Sequence, residues 1–361
     1  IGFLMCSAFS LVVQAATDGA HITKTISQIE RKKGIKRTIQ YRPDGNDFVC
    51  VNGKNRYTRA LYGGITDFRI ETSDRPVFAT YKPKDSKHIC FRLQCGNQSI
   101  ALDSLKFCEA RYRAGRRTYR LTDPLLGKGE LNISVLAFPD AEGGIWRFTM
   151  KDMPEGALLH CYISEIRAKN LSRNGDMGAD RADSFDAPQL PKEQKHYKLS
   201  LDGTTAYIVV EDQELRLPAL VEGTSLYDKS EKWRSEIESS LQISTPDPYF
   251  NPLGGALAAA ADGIWDGKIW LHGAIGWRSQ LNGWRAAYIG DFIGWHDRAR
   301  THFDSYAASQ VTDVPATIPH PTQDTALHLA RSVKKWGTPH YSNGYICRTP
   351  YRKDQMHHYD M

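Results

Sequence analysis

The residue types best suited to chemistry are concentrated between positions 262 and 304, where five of the eight tryptophans of the chain occur. These are Trp265, Trp270, Trp277, Trp284 and Trp295. Indole rings stack on the apolar faces of sugar rings, and the interleaved Asp, Asn, Arg and His side chains can hydrogen-bond sugar hydroxyls. A ligand pocket requires this mixture of apolar walls and a few polar groups. The stretch therefore predicts a carbohydrate-binding site, with a helix-packing core as the alternative.

Polar residues accompany the tryptophans in a repeated pattern. The tripeptide Gly276-Trp277-Arg278 recurs seven residues later as Gly283-Trp284-Arg285, and a related stretch runs from Gly294 to Arg298. The side chains in this region that we expect to bind substrate are Trp277, Arg278, Trp284, Arg285, Trp295, His296 and Arg298. The alternative for His296 is a histidine that packs in the core or that supports another site residue without touching substrate.

Two aspartates of the same stretch are candidates for catalysis, Asp291 and Asp297. Glycoside hydrolysis needs two carboxyl groups, one acting as general acid and the other as base or nucleophile. In an unbroken helix Asp291 shares a face with Trp295 and Arg298, whereas Asp297 lies on the opposite side. The glycines at positions 290 and 294 permit a break between them. A structural ion pair with Arg298 is the alternative for Asp297.

The rest of the sequence excludes several other classes of function. It contains no nucleophile-elbow, Walker, His-Glu-x-x-His or EF-hand pattern. Its net charge of +6 is spread along the chain, which is not the basic stripe of a nucleic-acid-binding protein. We expect a carbohydrate as the partner, and no cofactor or metal. A non-catalytic glycan-binding protein remains open, as does a polysaccharide lyase that uses Tyr288 or His296 as base and Arg298 to neutralise a uronate.

The elements that position these residues fall into two regions. From 46 to 227, short β-branched and aromatic runs alternate with Gly, Pro and Asp turns, which predicts an antiparallel β-sandwich with a long surface loop at 172–197. Helical patterns follow at about 228–240, 253–262, 286–310 and 324–336. The predicted fold class is therefore β + α, an antiparallel β-sandwich followed by the first helices of an incomplete (α/α)6 toroid.

The first residues have the pattern of an export signal. An apolar run from Ile1 to Val13 ends in Gln14-Ala15-Ala16, which resembles the apolar core and cleavage site of a secretory signal. We therefore expect an exported protein, periplasmic or extracellular, without a transmembrane segment. The seven cysteines show no metal-binding spacing. We expect them to be mostly buried thiols, with a Cys90–Cys95 bridge across a turn as the alternative.

The expected domain organisation follows from these patterns. A partial signal peptide occupies 1–16, a polar segment 17–45, the β-sandwich 46–227, a linker 228–252 and the start of the toroid 253–361. Because only about three toroid helices are visible, we expect this sequence to be the N-terminal part of a longer protein. A second catalytic carboxylate is then expected beyond residue 361.

The order of these segments resembles the six-hairpin glycosidase-like superfamily, which includes α-L-rhamnosidases and α-L-fucosidases. Within it the chain looks similar to an exported bacterial family known as domain of unknown function 4450. The resemblance covers about 45–361 and is most specific over 244–314. The segments that carry it are Ser244-Thr245-Pro246-Asp247-Pro248-Tyr249-Phe250-Asn251, the alanine-rich helix, His272-Gly273-Ala274, Gly283-Trp284-Arg285, Gly290-Asp291 and Gly294-Trp295-His296-Asp297-Arg298.

The resemblance implies a function and further site residues. Relatives pair a β-sandwich with an (α/α)6 toroid and hydrolyse glycosidic bonds, often with inversion. In related enzymes a loop like His358-Tyr359-Asp360 leads into a helix within the active-site funnel. This match implies that Asp360 touches substrate or orients water, and that His358 binds substrate. The sequence thus predicts a glycoside hydrolase acting on a plant or host-type polysaccharide or oligosaccharide.

Overall fold

The computed structural model describes residues 12–14, 40–54, 57–82, 85–165, 196–273, 283–310, 312, 323–324 and 329–330. The chain divides into two compact units, Ile1–Gly263 and Ile264–Met361. The expected linker and the alanine-rich helix therefore belong to the first unit. Of the expected signal peptide, only Val12–Gln14 lies within the described residues, where it forms a short strand.

Nineteen strands are present in the described residues. In chain order they are β1 Val12–Gln14, β2 Arg42–Asp44, β3 Asp47–Val51, β4 Tyr57–Tyr62, β5 Arg69–Ser73, β6 Phe78–Lys82, β7 Asp85–Cys95, β8 Gln98–Ala101, β9 Phe107–Arg113, β10 Arg116–Thr122, β11 Glu130–Ala137, β12 Gly143–Lys151, β13 Leu158–Glu165, β14 His196–Ser200, β15 Thr205–Glu211, β16 Glu214–Arg216, β17 Gln242–Ser244, β18 Gln323–Asp324 and β19 Leu329–Ala330. Two 3-10 turns, Leu102–Ser104 and Pro124–Leu126, follow β8 and β10.

Most of these strands form two antiparallel sheets. One sheet has eight strands in the order β16-β15-β12-β11-β10-β9-β3-β2. The other has the path β14-β13-β7-β6-β5-β4, with β8 added beside β7. The short strands β1 and β17 pair in parallel outside both sheets. The predicted β + α class with an antiparallel sandwich is confirmed.

The sandwich core follows from the alternation of residues along each strand. In β9, Cys108, Ala110 and Tyr112 point inward and are buried, while the charged residues between them point outward. The centre of the core is aromatic. The ring of Phe78 on β6 makes edge-to-face contacts with Tyr119 and Trp146 from the opposite sheet, at centroid distances of 5.6 Å each. One apolar cluster therefore joins the two sheets.

Four helices are described: α1 Leu220–Ser239, α2 Leu253–Gly263, α3 Gly283–Phe292 and α4 His296–Ala307. Helix α1 begins eight residues before the expected position 228. Its early turns pack on the outer face of the eight-stranded sheet, where Tyr227 joins Leu136, Ile145 and Tyr207 in a second apolar cluster. Close approach there requires Gly223, because an added Cβ would lie 2.3 Å from the Tyr207 ring.

Two helical predictions differ from the structure. The stretch 286–310 is not one helix but α3 and α4, which are separated at Gly294. The helix expected over 324–336 is absent where the structure describes that stretch, because Gln323–Asp324 and Leu329–Ala330 pair as antiparallel strands. Their cross-strand backbone hydrogen bonds replace those that a helix would make within itself. The toroid stays a prediction, since these four helices do not define one.

The expectation of buried thiols is confirmed for three of the five cysteines that the structure describes. Cys50, Cys108 and Cys161 are buried and form no disulfide, and burial raises the pKa of the Cys108 thiol to about 12. The alternative Cys90–Cys95 bridge is wrong, because both residues lie on strand β7. Five residues along a strand span roughly 16 Å, whereas disulfides join Cα atoms less than about 7 Å apart.

Candidate functional site

The second unit begins with a tight hairpin that places two of the predicted tryptophans. Trp265 and Trp270 face each other in an isolated antiparallel bridge. The connection turns at Asp266, whose Oδ1 accepts hydrogen bonds from the backbone N–H groups of Lys268 at 2.9 Å and Ile269 at 2.7 Å. Gly267 completes the turn with φ +97°, a conformation that side-chain-bearing residues rarely adopt. The two indole rings consequently lie 4.7 Å apart at 58°.

Trp270 is the structural centre of this unit. Its side chain is fully buried, and its backbone N–H donates to Nδ1 of the buried His302 on α4 at 3.0 Å. Helix α3 passes so close that a Cβ on Gly290 would lie 2.0 Å from the indole. Ala287 and Ala299 complete the buried cluster. For Trp270, the alternative of a helix-packing tryptophan is therefore the correct one.

The turn between α3 and α4 positions the predicted polar residues. Gly294 has φ +84° and its N–H donates to the carbonyl of Asp291 at 3.2 Å, while the N–H of Trp295 donates to the carbonyl of Gly290 at 2.7 Å. These bonds close helix α3 in the manner of a glycine cap. Asp291 thus lies in the last turn of α3, and Asp297 lies in the first turn of α4.

The turn brings an arginine against two indoles. The guanidinium carbon of Arg298 lies 4.5 Å from the ring centroid of Trp295 and 5.6 Å from that of Trp265, within the range of a cation–π contact. Both indoles are half-buried. We name the group formed by this hairpin and this turn the tryptophan corner. It consists of Trp265, Trp270, Asp291, Trp295, His296 and Arg298.

A pair of exposed polar groups lies at the same turn. Nδ1 of His296 and Oδ1 of Asp291 are 2.9 Å apart, and the two side chains are 68% and 74% exposed. The alternative of a core histidine is therefore wrong for His296, because the turn directs the ring to the surface. Asp297 is also exposed. Its carbonyl accepts from the hydroxyl of Thr301 at 2.8 Å, a bond within helix α4.

The structure thus brings together four of the predicted site residues: Asp291, Trp295, His296 and Arg298. Trp284 and Arg285 lie on helix α3, but their side chains are not described. The remaining predicted site residues, Trp277, Arg278, His358 and Asp360, lie outside the described residues. Of the surface loop expected over 172–197, residues 172–195 also lie outside them, and His196 and Tyr197 belong to strand β14 instead.

The sandwich also contains a buried polar group that is not among the predicted site residues. Arg117 and Asp74 are 0% and 1% exposed, with Nη2 and Oδ1 3.6 Å apart. Tyr41 joins them, because its hydroxyl accepts from Arg117 at 2.8 Å and donates to Asp74. The alternation of β10 contained the signal, since Arg117 occupies the same face as the core residues Tyr119 and Leu121.

Part of the chain is similar to a known protein family. Residues 83–210 match the model of a family described as a domain of unknown function, DUF4450. The matched stretch comprises strands from β7 to β15 and does not include the tryptophan corner. No curated protein matches the chain. Within the described residues, no helix is long and apolar enough to cross a membrane, and no three His, Cys, Asp or Glu side chains are grouped to bind a metal ion.

Proposed function

We propose that this protein binds and hydrolyses a glycan, and that the tryptophan corner forms part of its sugar-binding surface. The observation that carries the proposal is the contact of Arg298 with the rings of Trp295 and Trp265, beside the exposed pair of Asp291 and His296. Half-buried aromatic faces with hydrogen-bonding groups at their edge match the apolar faces and hydroxyls of a sugar ring.

The binding part of the proposal is tested with a variant that removes one aromatic face. Trp295→Ala is expected to weaken oligosaccharide binding at least tenfold, which corresponds to about 1.4 kcal/mol. Phe303→Ala is a matched control, because Phe303 is an exposed aromatic residue on the same helix outside the tryptophan corner. Binding to a panel of plant and host polysaccharides by affinity electrophoresis measures the difference. Equal retardation of both variants and the parent protein would show that the tryptophan corner is not part of the sugar-binding surface.

The hydrolytic part rests on the two aspartates. Asp291→Asn or Asp297→Asn is expected to lower the release of reducing ends by about 100-fold or more while sugar binding is retained, because general acid–base groups contribute about 10²–10⁴-fold. Ser305→Ala in helix α4 provides a control for non-specific effects. Full turnover in both aspartate variants would eliminate them as catalytic groups.

A non-catalytic glycan-binding protein is the second candidate. It is favoured by the exposure of Asp291, whose side chain is 74% accessible and therefore hydrated, unlike the desolvated general acid of many glycosidases. Binding without release of reducing ends from any glycan in the panel would support this candidate over hydrolysis.

Export is a further part of the proposal and rests on the apolar run from Ile1 to Val13. Expression in a bacterial host with separation of the periplasm and medium tests it. N-terminal sequencing that begins at Ala16 or Thr17 would support cleavage. Retention of the uncleaved protein in the cytoplasm would contradict export.

A further inference from the structure

A groove lies on the outer face of the eight-stranded sheet, along the flank of helix α1. The helix covers one part of this face through Tyr227 and the apolar residues Leu136, Ile145 and Tyr207. Beside it the strands β9 to β12 leave a groove of about 320 Å³ open to solvent. This volume lies at the lower end of the range of ligand pockets, roughly 300–1,000 Å³, and suits one small ring.

The floor of the groove is polar because the strand register aligns polar residues across the sheet. Thr118, Ser134 and Arg147 form one row on strands β10, β11 and β12. Arg120, Asn132 and Thr149 form the next row, two residues along each strand. Paired residues of antiparallel strands point to the same face. The floor therefore offers hydroxyls, an amide and two guanidinium groups to one ligand.

The arginines around the groove differ in their partners. Three of them form ion pairs with carboxylates within 3.5 Å: Arg111 with Glu109, Arg116 with Glu231, and Arg120 with Glu109 and Glu130. Arg147 makes no ion pair with any residue that the structure describes, and its Nε is buried without a hydrogen-bond partner there. The positive charge of Arg147 is thus the one that these carboxylates leave uncompensated.

Tyr227 fixes the position of this arginine. The guanidinium carbon of Arg147 lies 3.8 Å from the centroid of the Tyr227 ring, a close cation–π stack. The Tyr227 hydroxyl is in turn hydrogen-bonded to the hydroxyl of Ser134 at 2.7 Å. A guanidinium that is stacked on a ring still presents its planar N–H edge, which matches the two oxygens of a carboxylate. The site is therefore ordered before any ligand arrives.

We propose that this groove binds a hydroxylated carboxylate with the chemistry of a uronic acid, its carboxylate pairing with Arg147 and its hydroxyls facing Thr118, Asn132 and Thr149. The site belongs to the sandwich and does not depend on the tryptophan corner or on hydrolysis. Every residue of it except Tyr227 lies within the matched stretch 83–210.

The first experiment varies the ligand and leaves the protein unchanged. Isothermal titration of the full chain with D-glucuronate and D-galacturonate is expected to give a dissociation constant in the millimolar range or tighter for at least one of them. The neutral amide, D-glucuronamide, and D-glucose are expected to bind at least tenfold more weakly, because neither accepts a bidentate charged pair from Arg147. No binding of either uronate, or equal binding of the amide, would overturn the proposal.

The second experiment varies the protein. Arg147→Gln is expected to weaken uronate binding at least tenfold, and Thr149→Val at the groove floor a few-fold. Arg216→Gln is the control, because it removes the same charge from an arginine paired with Glu222 outside the groove. Unchanged binding in both groove variants would contradict the site. If inorganic phosphate binds as tightly as the uronates, the groove recognises charge alone and the assignment of a hydroxylated carboxylate is wrong.

Discussion

The interior of the sandwich and the tryptophan corner use similar polar groups in opposite environments. In the sandwich, Arg117 and Asp74 are at most 1% exposed and share the hydroxyl of Tyr41. In the corner, Asp291 and His296 form a closer pair, 2.9 Å apart against 3.6 Å, but their side chains are 74% and 68% exposed. A buried charge that loses its partner is costly, whereas an exposed pair contributes little to stability. The first group therefore maintains the fold, and the second remains accessible to a ligand.

The largest expected effect comes from the buried group. Arg117→Met should lower the free energy of unfolding by about 3–5 kcal/mol, because Asp74 stays buried while the cation that faces it is removed. Urea unfolding at neutral pH measures the difference. A loss below about 1 kcal/mol would mean that water or a rearranged partner reaches Asp74 easily. The buried group would then contribute no more to stability than the exposed pair of Asp291 and His296.

A second substitution tests the packing beneath the tryptophan corner. Gly290→Ala should destabilise the second unit by up to about 3 kcal/mol, since its Cβ would overlap the rigid indole of Trp270 at 2.0 Å. Gly294→Asn is the comparison variant: nothing lies within 4 Å of an added Cβ there, so its cost comes only from the positive φ of +84°, which asparagine adopts more readily than most residues. Thermal unfolding followed by near-ultraviolet circular dichroism of the tryptophans compares them. A Gly290→Ala variant as stable as the parent protein would show that α3 moves away from Trp270 without cost.

A pH experiment examines another buried polar group of the sandwich, His88 on β7. Burial lowers its pKa from the ordinary 6.5 to about 4 in the folded protein. Below pH 6.5 the unfolded chain takes up a proton that the folded chain excludes. Stability should therefore be unaffected by His88 above this pH, decline as the pH falls towards 4, and be lower by about 2 kcal/mol at pH 5.

The His88→Gln variant isolates this contribution, because glutamine does not titrate. Urea unfolding at pH 7.5 and pH 5 should show a smaller pH-dependent loss in the variant than in the parent protein. An identical loss in the two proteins would mean that other groups account for the acid sensitivity of the sandwich.

The smallest expected effect lies at the corner itself. Asp291→Asn should change the free energy of unfolding by less than about 0.5 kcal/mol, as is typical of an exposed pair. The same urea titration checks it. A loss above about 1 kcal/mol would give Asp291 a structural role and weaken the argument that this pair is available to a ligand.

The amino-acid sequence by itself determines several secondary-structure elements of this protein and part of its candidate site. Alternating inward and outward residues between turn-forming residues specified the antiparallel sandwich, because the side-chain period of a strand is two. The alanine-rich run specified a helix over 253–262, and the structure has it at Leu253–Gly263. The grouping of Asp291, Trp295 and Arg298 was also predictable from their spacing, although the break at Gly294 produces it differently from a continuous helix.

Only the tertiary structure decided which residues of the same type are buried. Trp270 and Trp295 belong to one tryptophan-rich stretch, yet helix α3 covers the first through the close approach of Gly290, and the second is half-buried beside Arg298. Arg120 and Arg147 likewise point outward from the same sheet, two strands apart, yet Arg120 pairs with Glu109 and Glu130 whereas Arg147 stacks on Tyr227. Burial and pairing depend on contacts between distant segments, and local spacing carries no information about the distance between them.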